Sequence, residues 1–228
     1  MQNENQKTTL NQQINGFIQK NRTPLLAVLI LLVVSFVGFI VSYSAIQASQ
    51  KKASGIIEAL ITRYEALLPG ISEGESSAEI DTLINDLNDF AKKSMAAGYS
   101  GGKAYGLIAD IYKQQNQPAN AQAAWVSAAG KAKKTFYEPL SWFNAGATAE
   151  EQGNNEQAIE YYTKSLGTQA NFPAAVQAQF SVARLKEVLN DRDGAIDAYR
   201  ALISGWPQDT VWTNLAFSRI VALEAASQ

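Results

Sequence analysis

Two hydrophobic patterns divide the chain. No charged residue occurs between Thr23 and Gln50, and residues 24–46 (PLLAVLILLVVSFVGFIVSYSAI) are apolar on every side of a helix. At about 1.5 Å per residue this run is roughly 34 Å long, enough to cross a hydrocarbon core of about 30 Å. Thr23 suits an N-cap and Pro24 a first helical turn. Tyr43 falls where an interfacial aromatic sits, and Ser35 and Ser42 can hydrogen-bond back into their own helix. The run exceeds the 7–15 apolar residues usual in a cleaved signal peptide, although Ser42 and Ser44 could mimic a cleavage site. Gly38 and Ser42 form a small-xxx-small pair able to pack two such helices. The expectation is a membrane-spanning helix.

Beyond residue 50 the apolar positions take a helical period. Tyr105, Ile108, Ala109 and Tyr112 follow i, i+3, i+4, i+7, as do Trp142, Ala145, Gly146 and Ala149. Ala121, Ala124, Trp125, Ala128 and Ala158, Tyr161, Tyr162, Ser165 form matching stripes. Each stripe marks a helix that buries one face. The stripes recur every 37 residues: Ala121, Ala158 and Ala195 are followed four residues later by Trp125, Tyr162 and Tyr199. Ala109, Gly146 and Ala183 stand twelve residues before them. Polar turns are expected at 115–117, 153–155 and 191–193, so each unit reads as helix, tight turn, helix.

Residues 211–224 look like another first helix covering the last unit, as a solenoid end requires. On the other side, 55–68 and 78–91 read as a degenerate capping hairpin with a loop at 69–75. The span is expected to continue helically from Gln47, and 99–102 to break the chain before the regular units.

These residues resemble the tetratricopeptide repeat (TPR). Unit one carries Tyr105, Ile108-Ala109, Tyr112, Ala121, Trp125 and Ala128; unit two Trp142, Ala145-Gly146, Ala158, Tyr162 and Ser165; unit three Ala183, Ala195, Tyr199 and Pro207. The resemblance implies an all-α fold, a right-handed solenoid of helix hairpins behind the N-terminal span. The divisions would be a polar tail (1–23), the span (24–46), a connector with the capping hairpin (47–99), and three repeats with a terminal helix (100–228). The period exceeds the usual 34, so longer inter-repeat turns are expected at 131–138 and 167–172. Gln179 and Lys186 replace aromatics, so the first helix of unit three is expected to roll.

Composition narrows the function. The chain has 228 residues, a net charge of −2, and no His or Cys. Imidazole- and thiolate-based catalysis, disulfides and His or Cys metal sites are therefore excluded, and no basic field for nucleic acid exists. The residues before the span carry +2 and those after it −4. Carboxylate pairs such as Glu150-Glu151 read as solvated helix faces, and residues 191–194 lack the ligand spacing of a calcium loop. The segment Gly101-Gly102-Lys103 reads as a flexible linker. Neither catalytic residues nor a cofactor are expected.

Family geometry places the first helices along a concave groove. The 37-residue offset gives three rows there: Gly106/Phe143/Phe180, Asp110/Ala147/Arg184 and Lys113/Glu150/Glu187. Phe143 and Phe180 are the expected neighbouring apolar anchors for an extended segment, and as anchors both are removable with the melt nearly unchanged; the alternative is that Phe180 belongs to the core and compensates for Gln179. Asp110, Lys113, Glu150 and Arg184 are their polar companions, whereas Trp125 and Trp142 are structural. A clamp for acidic C-termini is disfavoured, because Gly106 and Asp110 stand where such clamps carry cations.

The layout also resembles YfgM-type ancillary subunits of the SecYEG translocon, through the polar tail, Asn-Arg-Thr-Pro, the Val/Leu-rich span and Lys-Lys-Ala-Ser. That implies a single-pass inner-membrane protein with a cytoplasmic N-terminus and a periplasmic repeat domain. Its partners would be nascent or unfolded envelope proteins or translocon subunits. The competing expectation is a scaffold in a fixed secretion or division complex. Three basic residues precede the span and three follow it. Lys20 and Arg22 lie nearer the apolar core than Lys51 and Lys52, and lean the orientation this way.

Overall fold

The computed structural model describes residues 15–73, 77–168 and 172–225. The expected tail thus lies largely outside the described residues, as do parts of the 69–75 loop and the 167–172 turn. The chain forms two compact units, 1–51 and 52–228. A short helical piece at 15–20 precedes α1 (Arg22–Ser72). Then follow α2 (Ala78–Lys92), α3 (Tyr99–Gln114), α4 (Pro118–Lys131), α5 (Tyr137–Glu151), α6 (Asn155–Thr168), α7 (Ala175–Val188), α8 (Arg192–Gly205) and α9 (Thr210–Ala225). No strand occurs among the described residues.

In the first unit, the apolar run is helical and exposed throughout. Its most apolar 18-residue window has a mean hydropathy of 3.0, and none of that window is buried. Phe39 and Tyr43 stack with centroids 6.2 Å apart, and Gln47 Nε2 donates to the Tyr43 hydroxyl at 3.1 Å.

In the second unit, Ala53, Ile57 and Leu60 of α1 are buried at helical spacing. The expected loop from residue 69 is instead the last turn of α1. Pro69 lacks an N–H, so it forfeits a single helical bond near the helix end. Ile71 is fully buried and holds that turn in the core, and Glu73 N donates to Pro69 O at 3.2 Å. Ser77 caps α2 by accepting from Ile80 N at 3.3 Å. Ile80, Leu83, Leu87 and Phe90 bury one face of α2, and Arg63 pairs with Asp86 at 2.5 Å across to α1.

The pairs α3/α4, α5/α6 and α7/α8 are hairpins with one turn geometry. Asn116, Gly153 and Asn190 take φ of 56°, 75° and 61°. The left-handed residue therefore recurs at 37, not at the 38-residue spacing expected for the turns. At each turn the same bonds close the helix: Gln117 N to Tyr112 O (2.8 Å), Asn154 N to Ala149 O (2.9 Å) and Asp191 N to Lys186 O (2.9 Å). This six-to-one closure ends a helix sharply, and it selects Gly or Asn at the left-handed position.

Residues 99–102 do not break the chain; they are the first turn of α3. A Cβ at Gly101 would lie 2.2 Å from Ala96 O, and one at Gly102 would lie 2.6 Å from the Ala132 Cβ. The glycines are therefore contacts where backbone meets backbone, and the linker reading of Gly101-Gly102-Lys103 fails for that reason. The first helix of unit three does not roll either. Ala104/Ser141/Ala178, Ile108/Ala145/Val182, Ala109/Gly146/Ala183 and Ile111/Thr148/Leu185 are buried alike in all three hairpins. Gln179 keeps the register by donating to Ala198 O at 2.9 Å, and Lys186 reaches Asp191 at 3.3 Å.

The glycines make this packing testable. Gly102→Ala should lower stability by about 1–3 kcal/mol through overpacking. Gly130→Ala, in α4 with nothing within 4 Å of the added Cβ, should raise it by up to about 1 kcal/mol. Thermal melts followed at 222 nm separate the two, and equal melts would contradict the close approach at Gly102.

Candidate protein-binding face

The first helices approach one another directly, α3 against α5 and α7 against α9. They therefore line the inner side of the hairpin array, where the three expected rows fall.

The row Gly106/Phe143/Phe180 lies between hairpins. The Phe143 ring sits 5.4 Å from Tyr162 and 6.3 Å from Phe172. Phe180 sits 5.4 Å from Tyr199 and 5.1 Å from Trp212. Each ring thus joins its own second helix to the segment that follows. At Gly106 the missing side chain leaves room for Tyr137: a Cβ there would meet the Tyr137 hydroxyl at 2.2 Å and the Trp125 ring at 3.1 Å. Phe143 and Phe180 are partly buried against the core, and among the described residues no ring contact joins one to the other. The expectation that they can be removed without loss of fold is corrected accordingly: they are packing between repeats.

Most of the expected charges are also engaged with each other. Arg184 pairs with Glu150 at 2.5 Å, and Glu150 also accepts from the Tyr162 hydroxyl at 3.2 Å. One repeat on, Arg219 pairs with Glu187, which accepts from the Tyr199 hydroxyl at 3.3 Å. Glu150/Glu187 and Tyr162/Tyr199 are each 37 residues apart, so this Glu–Tyr–Arg clamp is itself a repeated unit. Burial and the neighbouring Glu187 push the Tyr199 hydroxyl up to about 12. Burial, then Glu150, raise Tyr162 likewise, so both phenols stay protonated donors. Lys113 pairs with Glu151 at 2.7 Å.

Asp110 is different. Among the described residues no hydrogen bond or ion pair engages its carboxylate. Burial raises its pKa above the ordinary 3.8, against the pull of Lys103 and Lys113. It stands one turn beyond Gly106 on α3. Its charge is felt by Tyr137 and by Tyr64 of α1, whose hydroxyls are both raised, first by burial and then by Asp110. Tyr137 continues into an aromatic group: its centroid lies 5.7 Å from Tyr99, which stacks on Phe136 at 5.2 Å. Phe136 is 63% exposed.

Asp110 is thus a half-buried carboxylate whose charge reaches two phenols, one of which, Tyr137, continues into an exposed aromatic pair. Sequence reasoning placed Asp110 on the inner face but missed Tyr64, Tyr99, Phe136 and Tyr137. They lie in the capping helix, in the first turn of α3 and where α5 begins, outside the repeat signature. The void at Gly106 was the available signal that a ring must come from elsewhere.

The structural signature residues occupy the hairpin interiors. Ala109, Ala121, Ala158, Ala183, Ala195 and Tyr199 are fully buried, and Trp125, Gly146 and Tyr162 are buried. Tyr105 and Trp142 are partly buried, the latter stacked on Tyr161 at 5.6 Å, and Pro207 is exposed in the α8–α9 turn.

A sequence model described as a tetratricopeptide repeat matches residues 102–124 and 140–172, parts of the first two hairpins. These two stretches carry tetratricopeptide repeats. A TPR repeat-containing protein of Treponema pallidum (strain Nichols) is 32% identical over 146 residues, 64% of this chain. This chain spans about 60% of that relative's length. Among solved structures, the nearly identical TPR-like repeats described for a Podosopora anserina kinesin light chain superpose with a TM-score of 0.53 at 12% identity. That match covers 75% of this chain and 87% of the other, and shows the solenoid fold alone. MamA protein gives 0.49 at 19% identity, covering 73% and 83%. TPR arrays are protein-interaction modules, and that coarse function follows for this chain.

Two outcomes test the face. Phe180→Ala should cost about 2–3 kcal/mol, less than a fully buried ring, and should lower the melt visibly. Asp110→Asn should do the opposite at neutral pH. A carboxyl whose pKa is higher folded than unfolded binds more protons in the native state, so stability falls as pH rises from 3.8 through the native value. The variant should therefore melt above the parent at pH 7, with the gap closing as pH falls to 3.8 and below. A gap that widens on acidification would contradict the desolvation of Asp110.

Proposed function

We propose that this chain is a membrane-anchored protein-interaction module, spanning the bilayer once through residues 24–46. On this reading its repeat domain works on the extracytoplasmic side, as a chaperone-like or translocon-associated helper. The observation that carries the reading is the continuous helix α1. Its first part is apolar and uncovered, and its later part carries the buried residues Ala53, Ile57 and Leu60 of the repeat domain. Residues 24–46 contain fifteen Leu, Ile, Val and Phe. On an insertion scale of about 0.3–0.6 kcal/mol each, they favour the bilayer by on the order of 5–9 kcal/mol. No charge opposes them.

The inner face supplies the recognition chemistry. The exposed Tyr99–Phe136 pair accepts an apolar or aromatic side chain, and Asp110 with the Tyr64 and Tyr137 hydroxyls accepts a basic one. Asp110 is half-buried, and Lys103 and Lys113 act on it from a distance without a direct ion pair, so a basic side chain of a partner can take that place. The expected ligand is an extended segment with an aromatic residue near a Lys or Arg. Phe143 and Phe180 shape the wall of this face from within, and Lys113, Glu150 and Arg184 hold adjacent repeats in register beside it.

The test uses the full chain in detergent micelles and a fluorescent unstructured peptide carrying Phe and Arg. Asp110→Asn should weaken binding by about tenfold or more while raising the melt at pH 7. Unchanged affinity would sink the assignment of Asp110. Protease treatment of intact spheroplasts should digest the repeat domain; protection would overturn the orientation. The competing scaffold reading expects in-cell photo-crosslinks from position 136 to recover one partner in constant ratio rather than many.

A further inference from the structure

An open cleft of about 220 Å³ lies between the capping helix α2 and the helices of the first hairpin. Tyr105, Ile108 and Tyr112 of α3 line it at the i, i+3, i+7 spacing of one helix face. Ile84 and Asn88 come from α2, and Ala123, Ala124 and Ser127 from α4. The cleft shares no residue with the face that carries Asp110.

The next hairpin shows what covers this place when it is closed. Tyr105, Ala123, Ala124 and Ser127 stand 37 residues before Trp142, Glu160, Tyr161 and Lys164. There the Tyr161 ring stacks on Trp142 at 5.6 Å, 25° from parallel. The Lys164 ammonium lies 4.8 Å from the Trp142 centroid and 5.4 Å from that of Tyr161, and Glu160 holds it at 2.6 Å. The second helix thus lays a ring and a cation over the aromatic of the first. In the first hairpin that aromatic is Tyr105, but the three side chains over it are methyl and hydroxymethyl groups. In the third the floor itself is polar: Gln179 replaces the ring and donates to Ala198 O at 2.9 Å. Among the three hairpins, the first alone combines an aromatic floor with a lid of small residues.

We propose that this cleft is a second protein-binding site, which takes an aromatic side chain of a partner segment. The incoming ring stacks on Tyr105 in the place that Tyr161 fills one repeat later. The size agrees. A cavity of about 150 Å³ already holds a benzene ring, and about 220 Å³ leaves room for the larger rings of Tyr or Trp. The chemistry agrees as well. Ile108 and Ala124 are buried apolar contacts for the ring edge. Asn88 and Asn120 bring amides to the same cleft, and a buried phenol or indole needs such a hydrogen-bond partner. Stacking favours an aromatic over an aliphatic side chain of similar area by roughly three- to tenfold. The lining residues are all uncharged, so the ring is what the cleft selects, whereas the Asp110 face selects a basic side chain.

The chain has no cysteine, so Asn120→Cys carrying a trifluoroethyl group places a single fluorine reporter at the cleft. The full chain in detergent micelles is titrated with an uncharged, unstructured Ser/Gly peptide bearing one Trp, and with the same peptide bearing Leu instead. A ring seated on Tyr105 should shift the fluorine resonance saturably, with the Leu peptide at least about threefold weaker. Ala124→Tyr with Ser127→Lys rebuilds the arrangement of the second hairpin and should abolish the shift with little change in melt. Ser127→Trp, at an exposed position, should do the same by laying its own ring over Tyr105, and replaces the double variant if that one does not fold. Asp110→Asn should leave the titration unchanged, so failure of the inner-face site and failure of this one read out separately. No shift with the Trp peptide, an equal response to the Leu peptide, or a shift that persists in a folded variant with the cleft filled would each overturn the proposal.

Discussion

The array depends on the contact between a small residue on each first helix and an aromatic ring on each second helix. Tyr162 lies against Gly146 so closely that even a methyl group would collide. Trp125 and Tyr199 hold the matching places in the other hairpins, where Ala109 and Ala183 are fully buried. Interiors packed to crystal-like density leave no slack at such points. The ring fixes the distance and the rotation of one helix on the other. Once it is seated, the neighbouring row on the first helix points between hairpins. There, Phe143 and Phe180 touch the same rings from the far side. The contact that closes one hairpin therefore also shapes the surface on which the next is laid.

The polar end of each tyrosine extends that role. Its hydroxyl donates to a glutamate on its own first helix, and the glutamate holds an arginine of the next. The ion pairs are partly exposed and weak taken singly. Their value lies in register, since a ring, a carboxylate and a guanidinium must coincide across two repeats. The same economy limits what remains for recognition. Charges spent between repeats are not free for a ligand, which singles out Asp110. In the first unit Trp125 stands in place of a tyrosine and has no hydroxyl to donate, and Lys113 replaces the glutamate. The clamp is absent there, and the position matching Arg184 is the half-buried Asp110, whose charge raises Tyr64 and Tyr137.

What was legible in the sequence was what repeats. The period, the hairpin interiors and the inward rows follow from Ala109, Gly146, Ala183, the alanines twelve residues later and the rings sixteen later, because three copies of one packing problem leave three copies of one solution. What was missed is what occurs once. Gly101 and Gly102 look like a linker on their own, and their meaning depends on Ala96 and Ala132 lying against them. Pro69 reads as a stop, yet burial of Ile71 carries the helix past it. Gln179 reads as a defect, and a single bond to the Ala198 carbonyl repairs it. Phe143 and Phe180 were placed in the right row, but whether a ring on that row faces a ligand or its own chain depends on Phe172 and Trp212, which lie outside the signature. The turn register was misread by one residue because polarity marks a turn broadly, while positive φ marks one position.

The proposed recognition face, with one half-buried carboxylate and one exposed aromatic pair, is a weak binder by construction. Free in solution it would need more contacts to hold a flexible segment, whose ordering costs free energy on binding. Tethering changes the arithmetic. If the proposed span holds the face beside the membrane, a segment emerging at the same surface meets it at an effective concentration set by the tether, and short flexible tethers give millimolar values. At that concentration a millimolar site is half occupied, and release stays fast because no single contact is strong. A short link matters here, because the longer and looser the tether, the lower the effective concentration it gives. On the proposed reading, weak recognition and tethering are thus two halves of one solution, because a tighter groove would slow the release that the tether makes possible.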